Sequence, residues 1–376
     1  MVAWGDVALD KEVPMRASIV ERTGAPFVVK AAELDRPMGR EVVVEVRASG
    51  LCHSDLLMAQ RDIGYPKPVL LGHEVAGIVV DVGPEATSVR VGDHVVGCLI
   101  QYCGECGPCL RERVLQCERP WATLRPRGAA PRVTIDGAPV TQGFGLGGFA
   151  ERVLVHENQL VPIPERMPFP QAAVLGCSVI TGSGTVVNAA RVEAGDVVVV
   201  VGAGGVGLNA VAAASRAGAS RVVAVDVAPD KLELARRFGA TDTIDSRGAD
   251  PVAAVREISR RGADAVLDFV GVAAVTAQAL QMVRPGGGLC LVGILDPDAV
   301  LPLRTYDVVN SRIRVQGVAM GDSVPRRDIP ALAELYLEGG LDLDALVSRQ
   351  IGLDEIDAGW DLLREPGVAR VVVTAF

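Results

Sequence analysis

A glycine-rich turn between an apolar strand and an alanine-rich helix constrains the fold of this chain more than any other feature. Residues 202–207 read Gly-Ala-Gly-Gly-Val-Gly, which matches the pattern Gly-x-Gly-x-x-Gly, and they directly follow an apolar segment that ends at Val201. Here Gly202 permits a tight turn, Gly204 lets the backbone approach a pyrophosphate, and Gly207 lets the helix pack closely on the strand. The turn therefore predicts a dinucleotide-binding unit. The alternative is a glycine-rich turn that holds no ligand.

A regular alternation of strands and helices surrounds this turn. Strand-like segments occur at 196–201, 221–226, 243–244, 265–270, 288–292 and 312–317, and helical segments occur at 205–217, 229–238, 252–259 and 276–283. Alternation of this kind builds a parallel, doubly wound sheet with helices on both faces. We therefore predict an α/β fold of the Rossmann type for this part of the chain.

One acidic residue indicates which dinucleotide is bound. Asp226 ends the second strand, nineteen residues after Gly207, where a carboxylate can accept hydrogen bonds from the adenosine ribose. The carboxylate would repel a 2′-phosphate at that place, and the next residues, Val227, Ala228 and Pro229, offer no arginine to hold one. We therefore predict NAD rather than NADP as the cofactor.

The N-terminal part of the chain has a β-rich pattern instead. Strands are predicted at 17–20, 27–29, 41–47, 73–82 and 91–96, and Ser54 and Asp55 suit the start of a helix. Residues 118–147 contain several prolines and glycines and predict a long irregular loop. Helices are predicted at 170–175 and 185–190, and 369–373 predicts a strand that returns to the β-rich part.

The length of the chain predicts two domains, because 376 residues exceed what one compact core holds. We assign 1–178 together with 320–376 to a β-rich domain, and 179–319 to the nucleotide-binding domain.

Four of the eight cysteines lie within fifteen residues, and this cluster predicts a metal site. The spacing is Cys103-x2-Cys106-x2-Cys109-x7-Cys117. Four thiolates at this spacing suit a closed, tetrahedral structural zinc site with no open position. Disulfides and an iron–sulfur cluster are the alternatives, and a reducing compartment disfavours the disulfides.

Charge and hydropathy exclude several classes of partner. The net charge is −9 and no segment is rich in lysine or arginine, so nucleic acid is not expected as a partner. We expect no apolar run to reach the ~20 residues of a membrane span. Residues 1–14, expected to form a loose extension, carry four charged side chains and no apolar core of a secretory signal. We therefore expect a cytoplasmic protein that binds no membrane.

From about residue 16 to the end, the sequence resembles the zinc-dependent medium-chain alcohol dehydrogenases. Within this family it resembles the dimeric branch, which has a long loop. The resemblance rests on Gly72-His73-Glu74-x-x-Gly77 followed by Gly83, on the four-cysteine segment, on Gly176-Cys177, and on the glycine-rich turn with Asp226. It implies that the β-rich domain is a GroES-like catalytic domain. It also implies a homodimer.

The resemblance implies a second, catalytic zinc ion. Its ligands would be Cys52, His73 and Cys177, with Glu74 beside the metal and able to take part in ligand exchange. Two thiolates and one imidazole leave a fourth position open for substrate. Asp55 would orient the imidazole, although an isolated histidine in an apolar segment is more often structural.

The resemblance also implies roles in catalysis, cofactor binding and substrate binding. Ser54 would take the alcohol proton, but Leu57 stands where many relatives carry a histidine that passes the proton to solvent. His53 stands where many relatives carry an arginine against the pyrophosphate. The other implied cofactor residues are Thr181, Gly205, Val206, Lys231, Val292, Gly293, Ile294 and Arg370, and the implied substrate pocket contains Ile63 and Leu99. His94 and His156 match no functional position.

The function that follows is NAD-dependent oxidation of a primary alcohol to the aldehyde, with room for a bulky or aryl group. Similarity of Asp322-Ser323-x-Pro325 and of 335–346 to actinobacterial relatives supports a second candidate, oxidation of a formaldehyde adduct of mycothiol or glutathione. A zinc-free reductase, a structural family member and a nucleotide-binding regulator are disfavoured, because all the implied zinc ligands and Ser54 are present.

Overall fold

The computed structural model describes residues 13–294 and 300–376. The expectations for residues 1–12, a loose extension without a secretory signal, lie outside the described residues. The chain divides into two compact units: the first contains the described residues up to Ala173 with Gln350–Trp360 and Val372–Phe376, and the second contains Val174–Arg349 and Asp361–Val371. This division differs from the expected one, because 174–178, 320–349 and 361–371 pack with the second unit and not with the β-rich unit.

The described residues form nineteen strands. They are β1 Val13–Val20, β2 Phe27–Leu34, β3 Glu41–Gly50, β4 Val69–Leu70, β5 Glu74–Val82, β6 His94–Gly97, β7 Val133–Ile135, β8 Ala138–Pro139, β9 Thr141–Gln142, β10 Arg152–His156, β11 Leu160–Pro162, β12 Val197–Val201, β13 Arg221–Asp226, β14 Asp242–Asp245, β15 Ala263–Asp268, β16 Val283–Leu291, β17 Arg314–Gly317, β18 Val347–Gly352 and β19 Arg370–Ala375. The predicted strand at 73–82 thus begins one residue later, which leaves His73 immediately before it.

The helices of the described residues lie mostly in the second half of the chain. They are His53–Gln60, Gly107–Leu110, Phe169–Ala190, Gly205–Arg216, Pro229–Arg237, Pro251–Ser259, Ala273–Met282, Thr305–Ser311, Pro325–Leu337, Leu343–Leu346 and Ile356–Leu362.

The first unit is built on two mainly antiparallel sheets. One has the order β8-β7-β2-β1-β4-β9, and the other has the order β11-β6-β5-β3-β19-β18 with β10 also paired to β3. In β3, Val42, Val44 and Val46 alternate along the strand and are almost fully buried in one apolar cluster. Because successive side chains of a strand point to opposite faces, this alternation directs one face of β3 into the core.

The segment at 118–147 is more ordered than the irregular loop that we expected. Its strand β7 pairs with β2, and β9 pairs with β4. Two arginines of this segment also bind the carboxylate of Glu41, which is 4% exposed: Arg125 Nη2 and Arg132 Nε each lie 2.7 Å from a carboxylate oxygen. Burial raises the pKa of Glu41, but the hydrogen bonds and charges of the two arginines lower it below its ordinary value overall.

The two helices expected at 170–175 and 185–190 are parts of one helix, Phe169–Ala190, which has π-helical turns at Leu175–Val179 and Thr185–Ala190. The expectation that no segment reaches the length of a membrane span was wrong for this helix. It has 22 residues and is apolar enough to span a membrane by length and composition, but its apolar stretch is 83% buried inside the protein. Buried core helices of soluble proteins have the same properties.

The second unit contains the predicted doubly wound sheet. All its strand pairs are parallel, in the order β14-β13-β12-β15-β16-β17. The chain winds outward in both directions from the neighbouring strands β12 and β15, and ligands of such sheets bind at the carboxyl ends of the strands near this switch point. The glycine-rich turn follows β12 and therefore lies at that place.

The expected return of the last strand to the β-rich part is confirmed. Strand β19 pairs antiparallel with β3, with Val372 opposite Gly50 and Val373 opposite Ser49. Nearby in the chain, the Asp357 carboxylate accepts a hydrogen bond from the Phe27 backbone N–H at 3.0 Å. Two separate C-terminal segments therefore complete the first unit.

Candidate metal and nucleotide sites

Three residues far apart in the sequence form one group of potential metal ligands. The ligand atoms of Cys52, His73 and Cys177 all lie within 4.8 Å of one another. His73 is fully buried, and each cysteine is 7% exposed. Cys52 lies in extended backbone directly before the helix His53–Gln60, and Cys177 lies in a π-helical turn. Such turns are frequent at functional sites. Two sulfurs and one nitrogen suit a zinc ion with an open fourth position.

Asp55 fixes the orientation of the His73 ring. Its Oδ2 lies 3.0 Å from His73 Nδ1, and its Oδ1 accepts a hydrogen bond from the Gly72 backbone N–H at 3.0 Å. Because Nδ1 faces Asp55, Nε2 is the nitrogen that can bind a metal. Burial lowers the pKa of His73, but the Asp55 carboxylate and Cys52 raise it well above its ordinary value. The surroundings of the His73 ring therefore favour a positive charge, which is the charge that a zinc ion would supply.

Two glycines make room for the residues at this site. Gly72 has a φ of +97°, and a Cβ there would lie 2.6 Å from the Phe149 backbone nitrogen. A Cβ on Gly50 would lie 2.2 Å from Glu74 Oε2. Glu74 is fully buried at the start of β5. It was expected beside the metal, but among the described residues the potential ligand group contains only the two cysteines and His73.

Ser54, expected to take the alcohol proton, lies two residues after Cys52. It is exposed, and its Oγ lies 4.0 Å from Cys52 Sγ. Leu57 is half-buried one turn further along the same helix and provides no group that could carry a proton. Of the residues expected in the substrate pocket, Ile63 is exposed and Leu99 packs on the apolar core of the sheet that contains β3.

The four-cysteine segment forms the second group of potential ligands. The sulfurs of Cys103, Cys106, Cys109 and Cys117 lie within 4.8 Å of one another, and the distance from Cys106 to Cys109 is 3.4 Å. A disulfide would require about 2.05 Å between the sulfurs, and none of the eight cysteines, which all lie in the described ranges, is part of a disulfide. The segment therefore fits a closed metal site. Its loop is shaped by Gly104, which has a φ of +83°.

The electrostatics of this cluster also fit a cation. Burial raises the pKa of Cys103, but hydrogen bonds from the Glu105 and Cys106 backbone outweigh that effect and lower it to about 6. Burial and the neighbouring cysteines raise the pKa of Cys109 to about 12. Without a metal, the sulfurs therefore cannot all be deprotonated at neutral pH, because like charges so close together repel. A divalent cation relieves this repulsion.

The glycine-rich turn has the geometry that the sequence predicted. Gly202 has a φ of +92°, and a Cβ on Gly207 would lie 1.9 Å from the Gly202 carbonyl oxygen. The helix Gly205–Arg216 starts directly after Gly204, so its positive N-terminal end faces this turn. The Asp226 carboxylate accepts hydrogen bonds from the Ala203 N–H at 2.7 Å and the Ala228 N–H at 2.9 Å.

The other residues expected to bind the cofactor differ in how deeply they are buried and in what they contact. The guanidinium of Arg370, which is 3% exposed, lies beside the start of this helix: its Cζ is 3.1 Å from where a Cβ on Gly205 would stand. Thr181 is buried, and its Oγ1 lies 3.6 Å from Met320 Sδ. Val206, Lys231, Val292 and Gly293 are half-buried, whereas His53 and Ile294 are exposed.

One aromatic residue at the metal ligands was not singled out from the sequence. The ring of Phe144 lies against that of His73, with 5.0 Å between the ring centres and 70° between the planes. Phe144 is part of the run Gly143-Phe144-Gly145, and this alternation with glycine inside the 118–147 segment was the signal that could have found it.

Two protein-family models match the chain. A model for the alcohol dehydrogenase GroES-like domain matches residues 39–165, and a model for zinc-binding dehydrogenases matches residues 205–338. The two matches cover most of the described first unit and the nucleotide-binding sheet.

Curated relatives and solved structures match over nearly the whole chain. The S-(hydroxymethyl)glutathione dehydrogenase of Paracoccus denitrificans is 33% identical over 95% of this chain and 99% of its own length. A crystal structure of benzyl alcohol dehydrogenase from Acinetobacter calcoaceticus matches with a TM-score of 0.91 and 31% identity, over 97% of this chain and 100% of that chain. A crystal structure of an alcohol dehydrogenase zinc-binding domain protein from Burkholderia ambifaria matches with a TM-score of 0.92 and 32% identity over the same shares.

Proposed function

The chain belongs to the zinc-binding medium-chain alcohol dehydrogenase family, and from this we propose that it oxidises a primary alcohol to the aldehyde, reversibly, with NAD. The observation that carries the proposal is the buried group of Cys52, His73 and Cys177, whose ligand atoms converge within 4.8 Å and which leaves one zinc position open. Members of the family that work without zinc would not need this group. We propose Cys103, Cys106, Cys109 and Cys117 as the ligands of a second, structural zinc.

When bound, the catalytic zinc supplies a Lewis acid that lowers the pKa of the alcohol, and the nicotinamide accepts the hydride. The protein's own residues bind and orient the reactants. Asp55 holds the His73 ring so that Nε2 faces the metal position. Ser54, exposed beside Cys52, accepts the alcohol proton. Because Leu57 cannot relay that proton, we propose that water completes its transfer to solvent.

NAD binding is assigned to the second unit. The N–H groups at the start of Gly205–Arg216 and the buried guanidinium of Arg370 offer positive charge for the pyrophosphate. Asp226 accepts hydrogen bonds from the adenosine ribose, near Lys231 in the following helix. We further propose that Thr181, Val206 and the backbone at 292–294 contact the nicotinamide end of the cofactor, and that His53 contacts the pyrophosphate.

A second candidate substrate is a formaldehyde adduct of a thiol such as glutathione or mycothiol. It is favoured by the relatives named S-(hydroxymethyl)glutathione dehydrogenase, which are 33–34% identical to this chain. Assays with formaldehyde, with and without each thiol, separate this candidate from a simple alcohol, because only the adduct requires the thiol.

We propose a homodimer that works in the cytoplasm, where thiol ligands stay reduced. In the segment of the chain that precedes β17, the last strand in the order of the second unit's sheet, the described residues Val300, Tyr306 and Val309 are 77%, 70% and 73% exposed. A sheet edge that follows such exposed apolar side chains suits pairing with the same edge of a second copy.

The proposed reaction is tested by measuring zinc content and by following NADH absorbance with a panel of primary alcohols and aldehydes in both directions. We expect two zinc ions per chain and turnover with at least one alcohol. In Cys52→Ser, zinc at the catalytic site and turnover should be lost together. Full turnover of a Cys52→Ser protein that lacks this zinc would contradict the proposal.

A further inference from the structure

One helix carries both a proposed zinc ligand and a residue proposed to contact the cofactor, and what we infer from it rests on the proposed alcohol oxidation. This is Phe169–Ala190, here called the ligand helix. Cys177 lies in its first π-helical turn, and Thr181 follows four residues later. Residues about one turn apart lie on the same side of a helix. The proposed metal position and the proposed nicotinamide contact therefore share one element and are about one turn apart.

Directly after Thr181, Gly182 lets the ligand helix touch the helix Gly205–Arg216, here called the cofactor helix. A Cβ on Gly182 would overlap the Val206 carbonyl oxygen and would lie 2.8 Å from the Asn209 Cβ. Glycine is used where two backbones approach this closely. No larger residue fits at position 182 unless one of the two helices moves.

The first turn of the cofactor helix is itself fixed by a buried group. Asn209 is 1% exposed, and its Nδ2 donates a hydrogen bond to the Gly205 carbonyl oxygen at 2.7 Å. Protein interiors are packed as closely as organic crystals. A shift of the glycine-rich turn is therefore passed on to the ligand helix and is not absorbed between them.

The ligand helix is also held on a second side. Gly184 lies two residues after Gly182, which is about 200° further round a helix. A Cβ on Gly184 would lie 2.5 Å from the Gly321 carbonyl oxygen. The Ser323 hydroxyl donates a hydrogen bond to the Ile180 carbonyl oxygen at 3.3 Å. With this side occupied, the ligand helix cannot move away from the cofactor helix to make room for a side chain at position 182.

We propose that Gly182 is a positioning residue that couples the two sites: it sets the spacing between Cys177 and the glycine-rich turn, so that filling the pyrophosphate site tightens zinc binding at Cys177. A ligand that orders the first turn of the cofactor helix also orders the ligand helix, and the second ligand then loses less conformational entropy when it binds. Because such coupling is reciprocal, zinc tightens the binding of the cofactor by the same factor.

The experiment measures the affinity of the catalytic zinc, by competition with a chelator, with and without ADP-ribose. ADP-ribose has the adenosine and pyrophosphate of the cofactor but no nicotinamide ring, so it does not cover the metal position. The catalytic zinc is identified as the ion that Cys52→Ser lacks. We expect ADP-ribose to raise the zinc affinity of the wild type about fivefold, the lower end of typical couplings.

Gly182→Ala should abolish most of this effect, although each site can still bind its own ligand. Gly287→Ala is the matched control. A Cβ on Gly287 would lie 2.8 Å from the carbonyl oxygen of Ala263, but Ala263 begins β15, at the end of the sheet away from the glycine-rich turn. The control should lose stability and keep the coupling. Asn209→Ala frees the first turn without any overlap, should weaken the coupling too, and decides the matter if Gly182→Ala does not fold.

A kinetic measurement distinguishes positioning from a merely structural role. We expect Gly182→Ala to lower kcat about tenfold to a hundredfold and to change KM much less, because small misplacements of reacting groups cost this much. The deuterium isotope effect, measured with an alcohol deuterated at the carbinol carbon, should rise as hydride transfer replaces product release as the slow step. A variant that is only less stable keeps the isotope effect of the wild type.

The outcomes separate this inference from the proposed function. If ADP-ribose leaves the zinc affinity of the wild type unchanged, or acts equally on Gly182→Ala, the inference is wrong, although alcohol oxidation stands. If the control loses the coupling as Gly182→Ala does, the effect is not specific to Gly182 and the inference is also wrong. If the zinc-loaded wild type oxidises no alcohol with NAD, the proposed function fails and the inference falls with it.

Discussion

Asp226 accepts a hydrogen bond from the backbone N–H of Ala203, at 2.7 Å, inside the glycine-rich turn. The residue expected to bind the adenosine ribose therefore also holds the turn that we propose to bind the pyrophosphate. Its other carboxylate oxygen accepts from the Ala228 N–H at 2.9 Å. These bonds fix the carboxylate before any cofactor arrives, which lowers the entropic cost of binding.

Replacement of Asp226 should separate its two roles. In Asp226→Asn the side-chain oxygen can still accept from Ala203, but the amide nitrogen cannot accept from the Ala228 N–H, and the charge offered to the ribose is lost. We expect NADH affinity to fall about tenfold, equivalent to ~1.4 kcal/mol, with a smaller loss of melting temperature than in Asp226→Ala. Asp226→Ala should weaken NADH at least as much and should also lower the melting temperature. Fluorescence titration and calorimetry measure both. An Asp226→Ala protein as stable as the wild type would contradict the structural role.

The four-cysteine site should hold one zinc ion that stabilises the fold. In Cys109→Ser we expect the zinc content to fall from two ions per chain to one and the melting temperature to drop by several degrees, because structural zinc contributes directly to folding. Cys98→Ala is the control: Cys98 is completely buried nearby but belongs to neither ligand group. Elemental analysis should find two zinc ions in the control. An unchanged zinc content in Cys109→Ser would show that this site is not a zinc site.

Ser54 should matter for proton transfer and not for binding. Ser54→Ala removes the hydroxyl near Cys52, and we expect kcat to fall by about a hundredfold, the lower end of what general acid–base groups contribute. Ser54→Thr keeps a hydroxyl and should retain most of the activity. Zinc content and NADH affinity should be the same in all three proteins. If Ser54→Ala keeps the kcat of the wild type, another group accepts the proton.

His156 should make the protein less stable in acid. Its Nδ1 accepts the Asn158 N–H at 3.1 Å, and burial, reinforced by the Arg40 and Arg132 charges, lowers its pKa from 6.5 to about 4, although Glu157 and Glu41 oppose the shift. Because the unfolded chain takes up the proton first, stability is full above pH 6.5 and falls toward pH 4. The difference corresponds to on the order of 3 kcal/mol.

The measurement for His156 is urea unfolding at several pH values between 7 and 4. Asparagine can accept the same backbone hydrogen bond but does not titrate, so His156→Asn should lose less stability across this range than the wild type. Acid also releases zinc from thiolates in both proteins, and the comparison removes that shared effect. Identical pH dependence in the two proteins would rule out a role for His156.

The exposed apolar side chains near β17 should lie in the dimer interface. Val309→Glu places a charge at a position that is 73% exposed in the single chain, so it should be harmless in a monomer but should weaken a dimer that buries it. Light scattering should report a dimer for the wild type and a shift toward monomer for the variant. Val91→Glu, at a position that is 60% exposed in the first unit, should remain dimeric. A monomeric wild type would contradict the proposed assembly.

Features set by short-range spacing were predictable from the sequence. The glycine-rich turn, the alternating strands and helices, and the four clustered cysteines each lie within a short segment, and their geometry follows from local backbone rules. The order of the parallel sheet agrees with that prediction. In β3 the apolar alternation identified the buried face correctly.

Features that depend on long-range packing were not predictable in this way. Cys52 and Cys177 are 125 residues apart, and no local pattern brings them together; only the family resemblance linked them. The 118–147 segment looked irregular because its ordering comes from distant partners, such as β2 and the buried Glu41. The role of Phe144 was missed because its contact with His73 joins distant parts of the chain, and the glycines on either side of it do not indicate that partner.

The pairing of β19 with β3 has a consequence for synthesis on the ribosome. The strand that lies beside Gly50 in the first sheet is translated only after the whole parallel sheet of the second unit. The second sheet can therefore form while β3, already paired with β5 and β10, still lacks its partner at Ser49 and Gly50. We expect this short end of β3 to stay unpaired until residues 370–375 emerge. For the same reason, a separately expressed first unit should be designed with 350–376 joined to it, because a fragment that ends at residue 173 leaves that end of β3 unpaired.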